Sequence, residues 1–416
     1  MLLITCYIIN QNNRWNCLSA RYIIYKYNNF IAQNFMKKSK DKKHGNFLIN
    51  DTTLRDGEQT AGVIFSYNEK IIIAKMLDEI GVNEIEAGIP IMGGEEKDAV
   101  KTINSLGLNA KIISWNRANI DDVKASLDIG MRYVHISIPI SDIHMQYKIN
   151  KDFDYVKKTL INICRILIKE QVVFSVGGED SSRADKDNLY EIINIAESEG
   201  AYKYRYSDTV GILNPLEIYK NIKLIKSKFK QIAIEIHAHN DLGMATGNSV
   251  AAIEAGADFV SGSIAGIGER TGNCALEEVI AYFKFIEKKE IDFDFKKVKK
   301  LAEIIAKITK RPIPVNKPIL GRNIFHHEAG IHTDGIIKNP INYEPYQPEE
   351  VGLKRKLLAG KHSGTSIIKF KLKKMGIAIN ETEAKDILSA VRQKSIDIKR
   401  NLNDGEIMDI YFNIKH

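Results

Sequence analysis

Cysteine is scarce in this chain. Its four residues, Cys6, Cys17, Cys164 and Cys274, include no C-x-x-C pair. That excludes a disulfide framework and a cysteine-built zinc module. Such usage suits a reducing compartment, and a cytoplasmic location is expected. Proline is also sparse; nine prolines beside 28 glycines exclude collagen-like and low-complexity classes. Long apolar runs are missing. The opening stretch Met1 to Ile9 falls far short of the roughly 18 residues a spanning helix requires. It also lacks the basic-before, small-after order of a signal peptide, so no membrane partner is expected.

Concentrated positive charge is absent where it would matter. The formal net charge is +8, but residues 1–45 hold eight Lys and Arg against Asp41 alone, leaving the rest of the chain near +1. A nucleic-acid binder needs its positive charge gathered on a working face, so no nucleic-acid partner is expected. Residues 1–45 have no clean apolar period and end in the basic run Lys37 to Lys43. They have the few acids of a transit peptide but not its serines. We expect a disordered extension, with Met36 as an alternative start, and leave it out of the fold.

From Asn46 onward a rhythm is present. Apolar runs rich in β-branched residues recur at Phe47–Asn50, Glu84–Ala87, Ala110–Ser114, Tyr133–Ile138, Val172–Val176, Tyr202–Tyr206, Ile232–Ile236 and Phe259–Ile264. Between them lie stretches with helical apolar spacing, such as Glu69–Ile80 and Asp187–Glu199. Eight strands about 30 residues apart, each interval long enough for a crossover helix, predict an α/β fold, a closed (β/α)8 TIM barrel over residues 46–290. An open doubly wound sheet is the structural rival. The rhythm stops after about Glu290. Helical patterns at Lys296–Thr309 and Glu381–Lys399 predict a mainly helical C-terminal region over 291–416, too small for a second barrel.

In a barrel, functional groups sit at the C-terminal ends of strands, and the polar residues of this chain collect there. Strand 1 runs into Asp51-Thr52-Thr53-Leu54-Arg55-Asp56, strand 7 into His237-Ala238-His239, and strand 8 into Gly266 to Asn273. Residues two apart on a strand share a face, so His237 and His239 both face inward. Closure makes strand 8 the neighbour of strands 7 and 1, which places Asp56 and Asn273 beside the two histidines. Two imidazoles, a carboxylate and an amide oxygen form a mixed N/O divalent-metal site; Mn, Mg, Fe, Co and Zn all fit. For an isolated H-x-H a polar strand end is the commoner explanation, but the company of Asp56 and Asn273 favours the metal.

Arg55 reads either as a surface ion pair or as a fixed positive charge beside the metal, suited to a carboxylate or enolate oxygen. Glu179, ending strand 5 after Gly177-Gly178, is placed to reach the same mouth. Thr209 offers a hydroxyl that serves equally well as a helix N-cap. His135, within strand 4, fits a packed-core role as well as a ligand role. Two motifs fail. His327-Glu328-Ala329-Gly330-Ile331-His332 brings its second histidine one residue late for a zinc protease. Gly266-x-Gly268 is followed by Thr271 where a dinucleotide fingerprint needs glycine.

Leu54-Arg55-Asp56-Gly57-Glu58-Gln59, followed by Lys70, resembles the first signature of the 2-isopropylmalate and homocitrate synthases. Ile234 to Ala245, around His237-Ala238-His239-Asn240-Asp241, resembles the second. Gly268-Glu269-Arg270-Thr271-Gly272-Asn273 is similar to their strand-8 loop, and His326 to His332 to their C-terminal lid motif. The wording of Ile49 to Thr53, Glu86 to Pro90 and Ser114-Trp115-Asn116-Arg117 looks most like homocitrate synthases that serve nitrogenase cofactor assembly. Lysine-pathway homocitrate synthases commonly carry Glu where this chain has Asp56, and some place a serine pair where it has Gly177-Gly178.

The resemblance implies a metal-dependent Claisen condensation of acetyl-CoA with a 2-oxo acid, here 2-oxoglutarate, followed by release of CoA. It implies a divalent ion (Mg, Mn or Zn) on Asp56, His237, His239 and Asn273. Arg55, Glu179 and His332 would be catalytic, and Gln59, His135, Thr209 and Arg117 would contact substrate. Arg117 is the candidate for the distal carboxylate of 2-oxoglutarate, with a surface role as its alternative. It also implies a homodimer in which the lid histidine comes from the partner. Isopropylmalate synthases usually continue into a long regulatory domain, whereas this sequence ends at His416. The rivals are 2-isopropylmalate or citramalate synthase, and a metal-dependent aldolase or acyl-CoA lyase on the same barrel.

Overall fold

The computed structural model describes residues 47–415; the extension expected over 1–45 lies outside the described residues. Two compact units make up this chain. The first runs to Val279 and includes Glu290–Asp292, while the second comprises Ile280–Lys289 and everything from Phe293.

The first unit is the expected barrel. β1 (Leu48–Asp51), β2 (Glu84–Gly88), β3 (Lys111–Arg117), β4 (Tyr133–Pro139), β5 (Val173–Glu179), β6 (Lys203–Asp208), β7 (Ala233–Ala238) and β8 (Phe259–Gly262) pair in sequence order. The sheet closes with β8 parallel to β1, Asp51 opposite Gly262. Helices fill the intervals. Tyr67–Ile80, for instance, starts at a Ser66/Glu69 capping box and stops at Gly81 in the left-handed region, as such signals dictate. β8 ends two residues before the sequence pattern suggested, because Ile264–Gly266 winds into a tight helical turn.

The barrel interior departs from the usual packing of bulky branched side chains. Strand faces that point inward carry charge at period two: Glu84 and Glu86 on β2, Lys203 and Arg205 on β6, Glu235 on β7, all buried. Lys203 is paired with Glu84 and Glu235, and Arg205 with Glu86 and Glu235. Tyr202 donates to Glu84 at 2.8 Å and Asn50 Nδ2 to Glu235 at 2.9 Å. Isoleucines, valines and leucines instead fill the layer between strands and helices, such as Ile73, Leu77, Leu160, Ile192 and Ile222.

The second unit is helical: Phe295–Thr309, Gly330–Lys338, Thr365–Lys374, Glu381–Ile398 and Asp404–Lys415. Ile367, Ile368, Leu372, Ile387, Val391 and Ile407 form a core of its own. A short parallel pair, His326–His327 with Lys356–Leu357, adds a strand element that the helical pattern did not signal.

Removing one member of a buried ion pair leaves its partners charged without compensation. Lys203→Met should therefore lower stability by about 3–5 kcal/mol, read from the urea midpoint. An unchanged midpoint would mean that Glu84 and Glu235 do not depend on the ammonium.

Candidate metal centre and active site

The strand-1 loop is shaped by Asp51. Its carboxylate accepts Thr53 N at 2.8 Å and Thr53 Oγ1 at 3.1 Å, which ends the strand and starts the wide helical turn Thr53–Gly57. Burial, opposed by the Thr53 bonds, pushes the Asp51 carboxyl up to about 7. The turn presents Arg55 and Asp56 to the mouth, both buried.

On the other side of the seam, His237 stands at the end of β7 and faces inward as expected. Its Nδ1 lies 3.0 Å from Ser261 Oγ on β8, and its Nε2 lies 3.0 Å from Asp56 Oδ2. His239 lies beyond β7, whose pairing ends at Ala238. Strand periodicity therefore does not orient it. An antiparallel bridge to Asn273 holds it instead, and Nε2 approaches Asp56 Oδ2 to 4.0 Å. Candidate ligand atoms of Asp56, His237 and His239 lie within 4.8 Å of one another. The strand-8 loop reaches them because Gly268 has no side chain; a Cβ there would stand 2.5 Å from Asn273 Nδ2.

This donor set fits a divalent ion. Asn273 Oδ1 is buried and has no hydrogen-bond partner, a costly state for an amide oxygen unless a cation meets it. Burial lowers the His239 imidazole to about 3, helped by His237, so the ring is neutral as a ligand must be. Burial opposes ionisation of Asp56, but Arg55 and the imidazoles outweigh it and hold the carboxyl well below its ordinary range. Carboxylate, imidazole and amide donors suit Mg, Mn or Zn.

Arg55 is fixed from three sides. One nitrogen lies 2.9 Å from Asp56 Oδ2, Nε donates to Glu86 Oε2 at 2.8 Å, and the guanidinium carbon stands 5.5 Å from the Trp115 ring centroid. Gln59 is exposed and meets Arg55 at 3.4 Å. His135 is buried, with Nδ1 2.8 Å from Ser175 Oγ. Burial, and then Arg205, hold its ring neutral, well below the usual imidazole range. Gly177 makes room for it, since a Cβ there would stand 2.6 Å from His135 Nε2.

Glu179 ends β5 and pairs with Lys148 from the segment after β4. Thr209 Oγ1 accepts Asp180 N at 2.9 Å. Arg117 is mostly exposed and forms two bonds to Asp122, Nε at 2.9 Å and NH2 at 2.8 Å. His332 belongs to the second unit, where it is exposed with its ring 4.3 Å from that of Tyr343. Within that unit His327 Nε2 lies 3.1 Å from Glu344.

Sequence reasoning passed over Glu86, Arg205, Glu235 and Trp115, which support Arg55 directly or through a chain of ion pairs. A usable signal existed: Glu84-Ile-Glu86, Lys203-Tyr-Arg205 and Glu235-Ile-His237 alternate charge and bulk inside strands that close a barrel.

Residues 46–305 match the HMGL-like family, and residues 319–399 match the homocitrate synthase post-HMGL domain-like family. The chain is 47% identical over 370 residues to 2-isopropylmalate synthase 2 of Caldanaerobacter subterraneus, covering 89% of this chain and 96% of that protein. It is 45% identical over 363 residues to homocitrate synthase 1 of Nostoc sp., covering 87% and 96%. Its fold is similar to that of hydroxymethylglutaryl-CoA lyase from Pseudomonas aeruginosa, with a TM-score of 0.58 at 18% identity, over 65% of this chain and 95% of that one.

Partners behind a metal ligand typically change affinity by about 10–100-fold when removed. Ser261→Ala, which frees His237 Nδ1, should weaken Mn or Zn binding in equilibrium dialysis by that factor. His239→Ala should abolish stoichiometric binding. Tight binding by both variants would place the ion elsewhere.

Proposed function

The chain belongs to the HMGL-like family, and from that membership we propose that it is a homocitrate synthase, condensing acetyl-CoA with 2-oxoglutarate to give homocitrate and CoA. The observation that supports the choice of acceptor is the match of residues 319–399 to the homocitrate synthase post-HMGL domain-like family, following in sequence a barrel whose Asp56, His237 and His239 could hold a metal ion. The wording of Ile49 to Thr53, Glu86 to Pro90 and Ser114 to Arg117 supports a product destined for nitrogenase cofactor assembly.

A divalent ion on Asp56, His237, His239 and Asn273 would supply Lewis acidity toward the ketone of the 2-oxo acid. The remaining work falls to the chain's own groups. Glu179 removes a proton from the acetyl methyl group, and the carbon left behind adds to the ketone carbon. Arg55, held by Glu86, balances negative charge on the oxygen. His332 returns a proton to the alkoxide, and hydrolysis of the thioester releases CoA. Gln59, His135 and Thr209 contact the acceptor. We also propose a homodimer in which His332 serves the partner's mouth.

A second reading, 2-isopropylmalate synthase acting on 2-oxoisovalerate, has its own support. The Caldanaerobacter relative carries that name, and Arg117 and Lys148 are committed to Asp122 and Glu179 rather than uncommitted for a second carboxylate.

CoA-thiol release with Mn or Mg and acetyl-CoA, supplied in turn with 2-oxoglutarate, 2-oxoisovalerate, pyruvate and oxaloacetate, separates these. Release with 2-oxoglutarate alone is expected; release mainly with 2-oxoisovalerate selects the second reading. No release from any acceptor, with metal bound, points to a lyase. Shared active sites have a separate signature. Asp56→Ala and His332→Ala should each be inactive alone and regain roughly a quarter of wild-type activity when co-expressed, the statistical yield of one intact mouth per mixed dimer.

A further inference from the structure

The segment that follows β4 is tied to the end of β5. Ser141 Oγ donates to Asp180 Oδ2 at 2.6 Å and accepts His144 N at 3.2 Å. The chain then makes a short turn, Asp142–His144, and a wide one, Met145–Ile149, ended by Asn150 in the left-handed region. Positions four apart in such turns share a face, so His144 and Lys148 look the same way, toward Glu179.

Lys148 Nζ lies 2.5 Å from Glu179 Oε1. His144 stands between two carboxylates, with Nδ1 3.7 Å from Glu179 Oε1 and Nε2 3.8 Å from Asp180 Oδ2. Its Nδ1 is buried and has no hydrogen-bond partner. Asp180 is itself held by Ser141 and by Arg183 at 2.8 Å, on a left-handed backbone with φ of 63°. The imidazole thus has a fixed anion on one side and, on the other, an unpaired nitrogen aimed at Glu179. None of these contacts is needed to close the barrel, whose β4–β5 pairing runs to Glu179 without them.

On the reading of Glu179 as the proton acceptor, we infer that Lys148 and His144 are its positioning residues: the ammonium holds the carboxylate aimed, and the imidazole takes over the proton it collects. The acetyl C–H bond breaks, its proton passes to a Glu179 oxygen, and its electron pair forms the new carbon–carbon bond while the ketone's π pair moves onto its oxygen, which His332 protonates. The same proton then moves to His144 Nδ1, with the Asp180 carboxylate, 3.8 Å from Nε2, balancing the imidazolium charge. Glu179 is left ionised. Its own loop also carries Arg183, and the neighbouring β6 carries Asp208 and Arg205. Arg183 is bound to Asp180, Asp208 accepts from Ile212 N and Leu213 N, and Arg205 is held by Glu86 and Glu235.

The test is the kinetics of CoA-thiol release by the full-length enzyme with Mn, acetyl-CoA varied, and whichever of 2-oxoglutarate or 2-oxoisovalerate it turns over. Lys148→Met should lower kcat roughly tenfold with KM for acetyl-CoA little changed, and Lys148→Arg should restore most of it. His144→Leu should lower kcat by a similar factor, again with KM little changed. A loss carried by KM rather than kcat, or a Lys148→Arg variant no better than Lys148→Met, would reduce both residues to a structural role and overturn the assignment. Full activity of Glu179→Gln would instead remove the reading of Glu179 itself, a failure distinguishable from the first.

Discussion

Arg55 is the point on which the barrel mouth depends. A guanidinium almost out of water is tolerable only if its donors are satisfied by acceptors of opposite charge, and here Glu86 meets it from below while Asp56 meets it from the side. Glu86 is in turn held by Arg205, which shares Glu235 with Lys203. Three strands and one loop thus connect through charge to one cation. Branched aliphatic side chains would fill the same space without directing anything. The ionic interior sets the orientation of Arg55 and through it the charge state of Asp56.

That arrangement explains why the proposed ligand carboxylate remains charged despite burial. Glu84, Glu86 and Glu235 engage Lys203, Arg205 and one edge of Arg55, while burial keeps the His239 ring neutral and available as a donor. Asn273 completes the set from a loop that approaches only because its glycines permit backbone contact. The seam where β8 closes on β1 brings these groups together.

Away from that seam, the ends of β4, β5 and β6 carry a second polar group. Asp180 is gripped by Ser141 and Arg183, and its amide donates to Thr209. The two sides of the mouth are therefore chemically distinct: imidazole, carboxylate and amide donors on one, a carboxylate flanked by an ammonium and an imidazole on the other. The proposed condensation, in which one substrate is chelated and the other loses a proton, would use such a division.

The fold class was legible because strand and helix periods are local properties; eight runs at even spacing leave a barrel as the simplest closed solution. His237 was legible for the same reason, lying at the end of a readable strand, and Asp56 because it falls in the turn that follows one. His239 was only half legible, since Asn273 rather than strand alternation orients it. The pairing of inward charges was not legible at all, because Lys203 and Glu84 are 119 residues apart and only closure makes them neighbours. Arg117 shows the converse: its charge and its place at a strand end could be read, but its bond to Asp122 followed from how the next helix docks. The sequence by itself determined which chemical groups stand at the ends of which strands. The tertiary structure decided which of them spend their charge on each other and which keep it for a ligand, because that depends on distances that no local pattern encodes.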